Sequence, residues 1–208
     1  MAAPVALPGS APDGYDATFM TPKVARNPNV REKGQLMSAS EIERTLVRLA
    51  HEIIEKNNGS VDLGLVGVRR RGVPLAERLA KTIGRIEKKP VPVGTLDITL
   101  YRDDLSTLGP KPVVQKTDIG IPITGQTIIL VDDVLYTGRT VRAAMDALFR
   151  HGRPRQLQLC VLIDRGHREL PVEATYVGRK VQTSANEIIE VRLREVDDAE
   201  QVMLMEKS

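Results

Sequence analysis

At 208 residues and 41% hydrophobic content, the chain can bury a sizeable core and is too apolar for wholesale disorder. Thirty basic residues leave a net charge of only +3, so no global polycation drives binding and any nucleic-acid surface must come from local clustering. A single cysteine, Cys160 in the apolar run 157–163, excludes an internal disulfide, and three scattered histidines offer no metal-ligand spacing. No apolar stretch approaches the length of a membrane span, and the N-terminus lacks the charged start and apolar core of a signal peptide. A cytoplasmic protein with no membrane partner is expected.

Residues 1–36 are rich in Pro, Ala, Gly and Asn without sustained periodicity, which predicts a disordered arm, with the domain proper over 37–208. Ser40-Glu41-Ile42-Glu43 has capping-box spacing. Ile42, Leu46, Leu49 and Ile53 then mark one face of a first helix, which Asn57-Asn58-Gly59 ends. On its polar side Arg44, Arg48 and His51 recur at helical spacing, readable as a phosphate-binding face or, with Glu41 and Glu55 nearby, as a solvated one. Leu63 to Val68 predicts a short strand leading into Arg69-Arg70-Arg71-Gly72. Guanidinium groups on a tight loop suit a pyrophosphate, which they bind in bidentate fashion; a solvated basic turn is the alternative. A second helix opens near Pro74 and carries Leu75, Leu79 and Ile83. Val91 to Tyr101 predicts a strand, and the polar stretch from Arg102 to Gly125 a long functional loop. Its Arg102, Asp103 and Asp104 would place charges beside an anionic substrate as the loop closes.

Thr127 to Asp133 predicts the central strand, Val141 to His151 its helix, and Leu157 to Asp164 the next strand, with further strands over 174–177 and 188–196. Strands alternating with helices imply an α/β fold with a mainly parallel sheet and ligands at the strands' carboxyl ends. The junction Ile129 to Val141 is the most specific string: an apolar run delivers Asp132 and Asp133 into the turn Tyr136-Thr137-Gly138-Arg139-Thr140. Ionised carboxylates accept hydrogen bonds from paired sugar hydroxyls, while backbone N–H groups at a helix start, a glycine and two threonine hydroxyls suit a phosphate. The string lacks the Lys of a P-loop and the paired glycines of a dinucleotide fingerprint. It reads as a ribose-5-phosphate cradle. The turn Asp164-Arg165-Gly166-His167-Arg168 falls beside the same crevice, and Val177-Gly178-Arg179-Lys180-Val181 offers backbone groups to a flat base.

Together the strings Leu96 to Leu105, Ile129 to Val141 and Asp164 to Pro171 resemble the type I phosphoribosyltransferases, in the branch of pyrimidine-operon regulators that double as uracil phosphoribosyltransferases. Similarity runs from about Ser38 to the C-terminus. The resemblance implies a parallel sheet flanked by helices with a small hood, and transfer from phosphoribosyl pyrophosphate (PRPP) to uracil, giving UMP and pyrophosphate with Mg²⁺ carried by PRPP. It implies ribose hydroxyls on Asp132 and Asp133, the 5′-phosphate on Tyr136 to Thr140, and pyrophosphate near Arg70 and Arg71. Arg102 and Asp103 would join the two aspartates in catalysis, and Arg165, Val177, Gly178, Lys180 and Val181 would hold the base. It further implies pyr mRNA binding through Arg44, Arg48, His51 and Arg168, and a homodimer or higher homo-oligomer. Two positions depart from the family pattern: Arg70, where a small hydroxyl residue is frequent, and Glu173, where a basic one is. A purine-base transferase and a nucleotide-sensing RNA regulator with little catalysis are the alternatives.

Overall fold

Apolar runs alternate with helical stripes, and the computed structural model, which describes residues 30–98 and 119–207, turns these into strands and helices. Strand β1 (Val30–Ser38) leads into α1 (Ala39–Asn57), followed by β2 (Leu63–Val68), α2 (Gly72–Glu87) and β3 (Val93–Leu96). The second half runs β4 (Thr127–Leu135), α3 (Arg139–Phe149), β5 (Gln156–Asp164) and β6 (Tyr176–Lys180). It ends with β7 (Glu187–Arg192), α4 (Arg194–Asp197) and β8 (Gln201–Lys207). Five strands form a parallel sheet in the order β3-β2-β4-β5-β6. Its order reverses between β2 and β4, so a crevice opens at their carboxyl ends.

Alternation along β4 sends Ile129 and Val131 to one side of the sheet and Ile128 and Leu130 to the other. The first pair meets the buried stripes of α1 (Ile42, Leu49, Ile53) and α2 (Leu75, Leu79, Ile83). The second meets Val141, Ala144 and Leu148 of α3. Cys160 lies buried in the first cluster, and burial pushes its thiol up to about 12, so it behaves as a small hydrophobe. Among the described residues no helix is long and apolar enough to cross a membrane.

The second sheet, β1-β8-β7, is antiparallel and forms the hood. Residues 30–36, predicted as arm, are therefore part of a strand. Their side chains are exposed from Arg31 to Gln35, and two register shifts break the alternation. No hydrophobic period marks such a strand; its ladder to β8 holds it. The first helix is capped by Ser38, two residues before the predicted cap. Ser38 donates both its N–H (2.8 Å) and its hydroxyl (2.6 Å) to the Glu41 carboxylate. The predicted strand 188–196 stops at Arg192, because 194–197 turn into α4.

Candidate functional site

β4 runs two residues past its predicted end, so Asp132 and Asp133 lie inside the strand at the mouth of the crevice. Asp132 is 7% exposed and Asp133 half-buried. The Asp133 N–H donates to Asp132 Oδ1 and the Val134 N–H to Asp133 Oδ1, each at 2.9 Å. Burial pushes both carboxyls above their ordinary range, Asp132 further, since the neighbouring Asp133 charge adds to the effect. Arg71 acts on Asp133 in the opposite direction. Two crowded acceptors with little solvent are best satisfied by hydroxyl hydrogens or a cation.

Beyond the pair, Gly138 sits at the N-cap of α3 with φ 92°, a left-handed conformation that favours glycine. A Cβ there would come within 3.3 Å of Leu170 and Val172. Tyr136, Arg139 and Thr140 are exposed around the helix start, where the Arg139 N–H donates to Thr137 Oγ1 at 3.4 Å. The segment after β5 braces this loop from behind. Glu169 and Leu170 donate their N–H groups to the Thr137 carbonyl at 3.0 and 3.1 Å. The Arg165 guanidinium stacks 4.0 Å from the Tyr136 ring centroid.

The loop after β2 presses against β4. A Cβ on Gly72 would sit 2.3 Å from the Val131 carbonyl oxygen, so only glycine fits there. The Arg69–Arg70 peptide is cis. Arg70 is exposed and makes no ion pair among the described residues. Arg71 is committed instead: it grips Asp197 of α4 with two bonds, of 2.9 and 2.7 Å. Asp197 is a residue that sequence reasoning missed. Its partner lies 126 positions earlier, so no local signal marks it.

Several expected contacts point elsewhere. Arg165, expected at the base, is 6% exposed and spends its guanidinium on Thr183 Oγ1 (3.1 Å) and the carbonyls of Ser184 (3.3 Å) and Glu187 (2.8 Å). Arg168, expected on RNA, turns inward to Asp164 (2.6 Å) and the carbonyls of Tyr136 (2.7 Å), Gly166 (3.0 Å) and Val172 (3.0 Å). Arg48, also expected on RNA, pairs with Glu52 and donates to the carbonyls of Val177 and Gly178 at 3.2 and 2.6 Å. Val177 and Gly178 thus face α1 through those carbonyls, while exposed Lys180 and half-buried Val181 lie at the carboxyl end of β6 beside that of β5, where the Val181 N–H bonds the Asp164 carbonyl. Arg44 and His51 are exposed on α1 and make no ion pair among the described residues. Arg102 and Asp103 lie outside the described residues.

No group of three or more His, Cys, Asp or Glu converges as a ligand set among the described residues. An open cleft of about 600 Å³ lies away from the crevice, at the far end of α2 between Lys81, Arg85, Lys88 and Lys89.

The phosphoribosyl transferase domain model matches residues 33–195. Over 176 residues the chain is 59% identical to the bifunctional protein PyrR of Pelotomaculum thermopropionicum, covering 85% of this chain and 97% of that one. The bifunctional protein PyrR of Thermus aquaticus is 56% identical over 178 residues, 86% of this chain and 98% of its own. Among solved structures, a hypoxanthine phosphoribosyltransferase of Trypanosoma cruzi superposes with a TM-score of 0.65 at 20% identity, over 83% of this chain and 95% of that one. One from Staphylococcus aureus gives 0.64 at 20% identity, over 85% and 92%. At that identity the structures share the fold.

Proposed function

Because this chain belongs to the phosphoribosyl transferase family, and within it groups with the relatives named bifunctional protein PyrR, we propose that it transfers ribose 5-phosphate from PRPP to uracil, giving UMP and pyrophosphate. The observation that carries the reading is the junction of β4 and α3. A buried and a half-buried carboxyl lie side by side near the carboxyl end of β4, and three residues after the strand's last residue a left-handed glycine caps the helix α3.

In this reading Asp132 and Asp133 accept the ribose hydroxyls. The N–H groups of 137–140 and the hydroxyls of Thr137 and Thr140 hold the 5′-phosphate. Arg70, exposed and without an ion pair among the described residues, meets the pyrophosphate, with Arg71 behind it. Lys180 and Val181 border the base; Arg165 acts by fixing Tyr136 and the 183–187 turn. The bond from the sugar's anomeric carbon to pyrophosphate breaks, a bond to uracil N1 forms, and the N1 proton is lost. Positive charge builds on the sugar, so fixed carboxylates and positioning supply the catalysis and no enzyme nucleophile is required. Two adjacent crowded carboxyls fit a Mg²⁺ ion that arrives with PRPP, since Mg²⁺ favours phosphate oxygens and water over an all-protein cage. When bound, the ion offsets the charge of the departing pyrophosphate.

The second function in the same reading is uridine-nucleotide-dependent binding of pyr mRNA. With Arg48 and Arg168 engaged in bonds within the protein, Arg44 and His51 are left as its uncommitted contacts on α1, and Arg44→Glu is expected to weaken binding without changing PRPP affinity. Self-association as a homodimer or higher homo-oligomer belongs to the same proposal.

The test is product formation from PRPP and Mg²⁺ with uracil, hypoxanthine and guanine in parallel. Uracil-selective UMP formation is expected. Turnover with purines alone would overturn the base assignment. No turnover with any base, alongside measurable PRPP or UMP binding, would make the cradle a sensor.

A further inference from the structure

Two arginines of the segment 71–78 tie the hood to the parallel sheet, and they do so at different distances from the crevice. Arg71, at the N-cap of α2, donates Nε to Asp197 Oδ2 at 2.9 Å and a terminal N–H to Oδ1 at 2.7 Å. The two side chains are 27% and 10% exposed, so the pair is largely screened from water. Asp197 is itself fixed, because Oδ2 also accepts the N–H of the fully buried Leu193 at 3.0 Å. Two turns further along α2, Arg78 makes four bonds of 2.5–2.9 Å to Glu195 and Glu200. Arg78 therefore fastens the same hood to the same helix. Only Arg71, however, belongs to the loop after β2 and exerts its charge on Asp133.

We infer that Asp197 is a positioning residue for phosphoribosyl transfer: its two-pronged grip sets the Arg71 guanidinium, and with it the loop 69–72, against the Asp132–Asp133 pair. The inference rests on the proposed reaction. A bidentate guanidinium–carboxylate bond fixes direction as well as distance. Released from Asp197, Arg71 regains its rotamer freedom, and Asp133 and Glu190 are the carboxylates that still attract it. An Arg71 that swings onto Asp133 would occupy an acceptor that the ribose hydroxyls require. Loss of Asp197 therefore acts on PRPP more than on the base or the chemical step.

Asp197→Asn isolates the effect, since an amide oxygen still accepts the Leu193 N–H while the ion pair is lost. Steady-state kinetics are compared for the wild type, Asp197→Asn, Asp197→Glu and Arg78→Gln, each with its Tm. Expected for Asp197→Asn is a rise of about tenfold in KM for PRPP, with kcat and KM for uracil within about threefold. Asp197→Glu restores the carboxylate and should recover most of the loss. Arg78→Gln, which loosens the hood alone, should lower Tm and leave KM for PRPP near the wild-type value. Equal KM values for wild type and Asp197→Asn, or the same PRPP defect in Arg78→Gln, would overturn the positioning role. Should Asp197→Asn fail to fold, Arg71→Lys carries the test. It keeps a charge beside Asp133 without the two-pronged grip, and an unchanged KM for PRPP would refute the inference. A wild type that neither binds nor consumes PRPP would instead sink the proposed reaction itself.

Discussion

Placing two carboxyls side by side at the end of β4 costs the ligand-free protein stability. Asp132 is held well above its ordinary value by burial and by Asp133. A group raised in the folded state favours folding below its unfolded value, near ~3.9 for Asp, and loses that contribution as pH rises through the folded value. At neutral pH and above, ionising Asp132 therefore opposes folding. Asp132→Asn should raise Tm at pH 8, with a gain that disappears toward pH 4, while PRPP-dependent turnover falls by about a hundredfold or more. Calorimetric melts across that pH range check the sign, and a Tm below wild type at pH 8 would contradict it. The cradle residues were legible because they are contiguous: acids, glycine and hydroxyls within one string identify their chemistry without a fold. The isolated arginines were not. Arg48, Arg165 and Arg168 looked ligand-facing, yet each is bonded to carbonyls that only the folded chain brings near, in the case of Arg48 some 130 positions away.

At the scale of elements, close approach of the loop after β2 to β4 is what brings the Arg71 charge to bear on Asp133. Gly72 permits it. Gly72→Ala places a methyl 2.3 Å from the Val131 carbonyl oxygen, so the loop must lift off the strand. A loss of about 1–3 kcal/mol and a raised KM for PRPP are expected. Gly34→Ala in β1, where nothing lies within 4 Å, is the matched control and should leave both unchanged. Urea melts and kinetics on the two variants decide the point. The helices α1 and α2 and the strands β2, β4 and β5 were readable because long apolar runs or regular stripes face a core. β1 and β8 were not. β1 is largely exposed and irregular in register, and the Met-rich β8 shows its buried side only when paired on both flanks.

For the whole molecule, the parallel sheet and its helices carry the loops of the crevice, and the hood joins segments from both halves of the chain. Leu49→Ala, in the fully buried stripe of α1, should cost about 2–5 kcal/mol and lower Tm without changing the ratio of uracil to purine turnover. A net charge of +3 means that PRPP affinity must come from the local site, so it should respond to single residues there. Equilibrium binding of PRPP with Mg²⁺, measured by titration calorimetry on wild type, Asp133→Ala and Thr140→Val, tests this most directly. Saturable binding by the wild type, weakened about fivefold or more in each variant at near-wild-type Tm, is the predicted result. Equal PRPP affinity in all three proteins would contradict the cradle at β4 and α3.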